Sequence, residues 1–155
     1  RTFNMSKSGR YSADRKKIEA LTTSATEIQV HDCGTIFRLD GTSYSADVTH
    51  SLPHPSEAGE GWWCKFIVKT AVLDAGGDDC LIKIRAAGAS TFVDNLLLLQ
   101  VHETTGAAGL TDVDADFVTV TGETIGGSQL EFVCDGNKYY MLGSVVADGA
   151  ITVDT

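Results

Sequence analysis

Asp112, Asp114 and Asp116 stand at alternate positions, and Glu123 falls at the twelfth residue counted from Asp112, the spacing from which a calcium loop draws its oxygen ligands. The sixth residue of such a loop is a glycine that makes a sharp turn, and here it is Phe117. No helical pattern flanks the stretch, so the three carboxylates read as the solvated face of a strand and no metal site is expected. His31, His50, His54 and His102 follow neither HxH nor HExxH spacing, which leaves zinc unsupported. His54 and Glu57 come close in the loop around Pro53 and Pro55, a pair expected on the surface. Ser90, between Gly88 and Phe92, lacks the second glycine and the strand-to-helix context of a nucleophile elbow. The glycines form no GxGxxG or GxxxxGK[ST] run, so no phosphate cradle is expected either. The expectation is a non-enzymatic protein without a cofactor.

The aromatic pair Trp62-Trp63 remains as a binding candidate. Consecutive residues of a strand point to opposite faces, so one ring joins a core and its neighbour reaches a surface, where it would stack on a sugar or anchor a protein partner.

The elements that would position these residues are strands. Leu130, Phe132 and Cys134 alternate with Gln129, Glu131 and Val133, Asp135-Gly136-Asn137 tolerates the positive φ of a tight reversal, and Lys138 to Leu142 resumes with aromatic residues. Residues 126–143 are therefore a β-hairpin, which is marginal alone and must join a larger sheet. Thr22–Val30, Thr35–Leu39 and Tyr44–Leu52 read as further strands, the last stopped by Pro53 and Pro55. Trp62–Leu73 and Cys80–Arg85 alternate across Gly76-Gly77, which predicts two adjacent antiparallel strands. Leu96–His102 is short and apolar, Gly106 to Gly109 breaks it, and Phe117–Thr121 and Ala150–Asp154 complete the set. Ser12–Leu21 is readable either as a short helix capped by Ser12 or as an arm running into a first strand. Many short strands with almost no helical period predict an all-β fold: an antiparallel β-sandwich, jelly roll or barrel.

A chain of 155 residues is the size of one domain and needs no staple to fold. Cys33, Cys64, Cys80 and Cys134 are scattered singly without ligand spacing, which favours reduced cysteines, most of them in the core. The longest apolar run, Leu96–Leu99, is far below the ~20 residues of a membrane span, and no signal-peptide pattern opens the sequence. A protein without an export signal is expected. Charge divides the chain unevenly. Residues 1–19 hold six basic side chains against two acidic ones, a net of +4, and the whole chain carries −9, which leaves −13 for residues 20–155. A basic arm, residues 1–19, thus precedes a single acidic β domain, residues 20–155. The arm would dock on something negative, whereas the body repels nucleic acid and anionic membranes.

A set of short motifs resembles a known family. It comprises Thr22 to Thr26, Asp32-Cys33-Gly34 running to Leu39, Val48 to Pro53, Ala58-Gly59 with Lys65 to Val68, and Leu130 to Gly136 followed by Tyr139-Tyr140 and Gly143. In this order they resemble the small β-rich structural proteins of tailed bacteriophages that decorate or cement the capsid or form parts of fibres. The chain departs from that pattern at Cys33 and Cys134, where serine is usual, and at Tyr139, where tryptophan is usual. The resemblance implies a virion protein bound to the outer surface of the major capsid protein. It also implies a homotrimer with arms that reach along neighbouring subunits. On that basis Arg10, Arg15, Lys16, Lys17 and Trp62 are the expected partner contacts. The alternative is a carbohydrate-binding module of a tail fibre or virion surface, using Trp62 or Trp63, with calcium at the aspartates as an option.

Overall fold

A computed structural model describes residues 16–21, 24–41, 44, 46–70, 82–86, 97–102, 106–110, 117–121, 126–145 and 151–154. Arg10, Arg15, Cys80, Ser90 and the Asp112, Asp114 and Asp116 series lie outside them. In chain order the elements are β1 (Ile18–Ala20), β2 (Ile36–Asp40), β3 (Val48–Leu52), a one-turn helix α1 (Pro55–Ala58), β4 (Glu60–Thr70) and β5 (Ile82–Ala86). They continue with β6 (Leu97–His102), β7 (Gly106–Leu110), β8 (Phe117–Val120), β9 (Gln129–Asp135), β10 (Tyr139–Val145) and β11 (Ile151–Asp154). The described residues form two open sheets, ordered β1-β2-β4-β9-β10-β6-β7 and β11-β8-β5-β3. The fold is all-β and of sandwich type, and neither sheet closes into a barrel.

Both sheets are mixed. β4, β9 and β10 run antiparallel in sequence, as the hairpin predicts, but β2 lies parallel to β4, β1 to β2, β6 to β10 and β3 to β5. Parallel neighbours require a crossover. Between β2 and β4 the crossover is β3, which leaves for the other sheet, together with α1.

One contiguous apolar cluster fills the space between the sheets. Phe37, Leu39, Trp62, Cys64, Phe66, Val68, Leu130, Phe132, Tyr139 and Met141 enter it from the larger sheet, and Val48, Leu52, Ile82, Ile84, Val118, Val120 and Ile151 from the smaller. Alternation places these residues inside, since every second side chain of a strand faces the same way. The rings of Phe37, Phe66 and Phe132 form a chain with centroid separations of 5.5 and 5.6 Å, and Trp62 meets Tyr139 edge to face at 5.8 Å. Tyr139 buries its ring and donates its hydroxyl to the Pro53 carbonyl at 2.8 Å. That bond ties the closing hairpin to the proline loop.

Three sequence expectations are corrected. Residues 24–30 form no strand: they touch β3 through one bridge, Glu27 to Ser51, and then enter a 3-10 turn at Val30–Asp32. β4 and β5 are not hairpin partners, because each lies in a different sheet. Gly106 to Gly109, expected only to break the apolar run, itself belongs to β7, the edge strand that pairs with β6. On the arm, Ile18–Ala20 is a strand and not helix, so the basic segment enters the sheet before residue 20.

Candidate functional site

The outer face of the seven-stranded sheet collects the polar and aromatic side chains that the core leaves out. Register fixes its rows. Ile18, Ile36, Lys65, Glu131 and Leu142 are successive cross-strand partners on β1, β2, β4, β9 and β10. One row towards the start of β4, Trp63 pairs with Val133 and Val133 with Tyr140; one row the other way, Arg38, Ile67, Gln129 and Ser144 line up. Ile18 is 60% exposed, Leu142 49% and Tyr140 40%, so three large apolar side chains reach the outside on this face.

Two adjoining depressions share Lys65 and Glu131. The first, about 220 Å³, is lined by Lys16, Ile36, Trp63, Lys65, Glu131 and Val133. The second, about 290 Å³, runs from Lys65 and Glu131 to Gln129, Leu142, Gly143 and Ser144. Trp63 owes its position to Gly34, whose φ of +80° favours glycine. The Gly34 amide donates to the Trp63 carbonyl at 2.8 Å, and a Cβ at Gly34 would lie 3.6 Å from the indole.

The expected partner residues separate in space. Trp62 is buried, 3% exposed, and its indole N–H donates to the Val30 carbonyl at 2.9 Å. A side chain so enclosed offers no surface to a partner; Trp63, half-buried, is the member of the pair that reaches outside. Lys16 lines the first depression. Lys17 is committed to its own chain, where its ammonium pairs with Glu19 and, at 3.5 Å, with Asp32. The hydrogen bond to Glu19 is the main reason its pKa is raised. Asp32 also accepts from the Gln29 amide at 2.9 Å, which fixes the turn that presents Gly34.

His54 and Glu57 do fall together, around a pocket of about 130 Å³ that they line with Glu27, Val30 and Ser51. His54 nevertheless has a local duty: its Nδ1 accepts from the Ser56 amide at 3.2 Å and lies 2.8 Å from the Ser56 hydroxyl, which caps α1. Among the described residues no cluster of three or more histidine, cysteine or acidic side chains could hold a metal ion. Cys33 is exposed and Cys64 and Cys134 are buried, all as free thiols. Burial pushes the Cys64 thiol well up.

Alternation along β4 puts Lys65 on the face opposite Cys64, Phe66 and Val68, but residue order does not reveal Glu131, Val133, Tyr140 and Leu142 as its companions. The missing signal was the pairing of β4 with β9. No protein-family model matches the chain, and no curated protein or solved structure matches it either.

Proposed function

We propose that this chain is a structural virion protein of a tailed phage, a capsid decoration protein that works by surface contact. The observation that carries the proposal is the outer face of the seven-stranded sheet, where Ile18, Tyr140 and Leu142 are 40–60% exposed around Lys65 and Glu131. Exposed aromatic and aliphatic groups bordered by charge are the composition of a protein-contact surface. The order of motifs that resembles the decoration proteins supports the virion context. In this proposal the basic arm, with Arg10, Arg15 and Lys16, docks on acidic capsid surface, and the acidic body remains outside. Binding assembled shells and not free subunits would stabilise the shell by mass action.

The test is co-sedimentation with purified capsids that lack a decoration protein. Because Ile18–Ala20 is part of the sheet, the arm is best removed at residue 15, which spares β1. Saturable binding by the whole chain, weakened by salt and lost on truncation, is expected. No binding by either chain would sink the proposal.

A second reading, a carbohydrate-binding module, is favoured by Trp63 alone: its indole lies in a depression beside Lys16, Lys65 and Glu131, an aromatic platform edged by hydrogen-bonding groups. A glycan array probed with the whole chain and with Trp63→Ala separates the two, since stacking on a sugar is insensitive to salt.

A further inference from the structure

The face that carries Lys65 and Glu131 is complementary to itself. A two-fold axis laid in the plane of contact, parallel to the strands and midway between β4 and β9, turns each row end for end. In the central row, Ile36, Lys65, Glu131 and Leu142 then meet Leu142, Glu131, Lys65 and Ile36 of a second copy. Lys65 faces the partner's Glu131 and Glu131 faces the partner's Lys65. In the same operation Ile36, at the floor of the first depression, meets the partner's exposed Leu142. In the neighbouring row Trp63 meets the partner's Val133, apolar on apolar.

We propose that the outer face of the seven-stranded sheet binds a second copy of this chain, as a two-fold dimer held by reciprocal Lys65–Glu131 pairs between apolar contacts. The proposal rests on the reading of this face as a protein-contact surface and names its partner. Charge also selects the symmetry. An axis across the strands would set Lys65 against the partner's Lys65 and Glu131 against the partner's Glu131, which like-charge repulsion opposes. Among the described ion pairs neither residue is already engaged within its own chain. Aligned sheets cross at roughly 30° through their twist, so the central row, nearest the axis, keeps the best register. This is a different symmetry from the three-fold assembly that the decoration-protein resemblance implies.

Sedimentation equilibrium of the whole chain tests it without any capsid. The expected mass is twice the 16.5 kDa of one chain. Lys65→Glu and Glu131→Lys should each run as a monomer, because each sets like charges against each other at both pairs. Mixed one to one they should run as a heterodimer. The first variant is acidic at both positions and the second basic at both, so each of the two contacts again joins opposite charges. Circular dichroism establishes that each variant is folded. Leu142→Arg, at an exposed position, gives an independent variant that should also be monomeric. A monomeric or trimeric wild type overturns the proposal, as do single variants that still dimerise or a mixture of folded variants that stays apart. Co-sedimentation fails or succeeds separately: a dimer that ignores capsids removes the decoration reading and leaves this face as a homodimer interface.

Discussion

The Tyr44 hydroxyl and His50 Nε2 stand 3.2 Å apart inside the sandwich, where His50 is wholly buried between its β3 neighbours Val48 and Leu52. The two rings meet edge to face. Desolvation is the first cause of both shifts: it lowers His50 to about 4 and raises Tyr44 to about 12, the latter with help from the charge of Asp40.

A pH dependence follows from that pair. The unfolded chain takes up a proton at the ordinary histidine pKa of about 6.5, whereas the folded chain resists until about 4. A depressed folded pKa gives stability that is fully present above about 6.5 and lost as the pH falls towards 4, about 3 kcal/mol in all. Denaturant midpoints measured from pH 7.5 to 4.5 should fall, and His50→Leu should remove most of that slope. A slope unchanged by His50→Leu would assign the effect to other groups. Asp135, whose pKa is lowered chiefly by the amides of Lys138 and Asn137, acts below its unfolded value of 3.8 and outside this window.

The two tryptophans should separate in a stability assay. Trp62→Ala empties a core position and should cost about 3–5 kcal/mol, and Trp62→Phe, which loses only the bond to the Val30 carbonyl and some ring volume, about 1–2 kcal/mol. Trp63→Ala should cost about 1 kcal/mol, the effect of a half-buried surface ring, and should show mainly in self-association. Equal losses at both positions would contradict the assignment of faces.

Gly126 sits against β4, and a Cβ there would lie 2.7 Å from the Lys69 carbonyl oxygen. Backbone does not yield as a flexible side chain does. Gly126→Ala should therefore cost about 1–3 kcal/mol in chemical denaturation. Gly127, with a φ of +100° and open space around it, should be penalised through backbone strain alone.

Thiol labelling should distinguish the cysteines. In the folded protein Cys33 should react with a disulfide reagent at the rate of an exposed thiol, while Cys64, buried and held protonated, should react only on unfolding. Cys134 should also be slow: it is buried, and its Sγ sits 3.6 Å from the Pro55 carbonyl. Fast labelling of Cys64 in native buffer would contradict its place in the core.

What could be read from residue order was whatever depends on near neighbours along the chain. The hairpin of β9 and β10 was legible because its alternation and its Asp135-Gly136 turn are local, and the turn forms with Asp135 accepting from the Asn137 and Lys138 amides at 2.8 and 2.7 Å. That Trp62 and not Trp63 faces inward was also legible, since Trp62 is in phase with Cys64, Phe66 and Val68 and Trp63 with Lys65 and Lys69, and Trp62 does pack on Tyr139 in the core. The pairing of strands, by contrast, was settled by contacts between distant segments. Alternation is the same whether a strand lies beside its predecessor or in the opposite sheet, so nothing in residues 60–86 announces that β4 and β5 part company. For the same reason the candidate face could not be read in advance. Lys65 and Glu131 stand far apart in the chain, and only the β4–β9 register sets them opposite each other, with Ile36 and Leu142 outside them in one row.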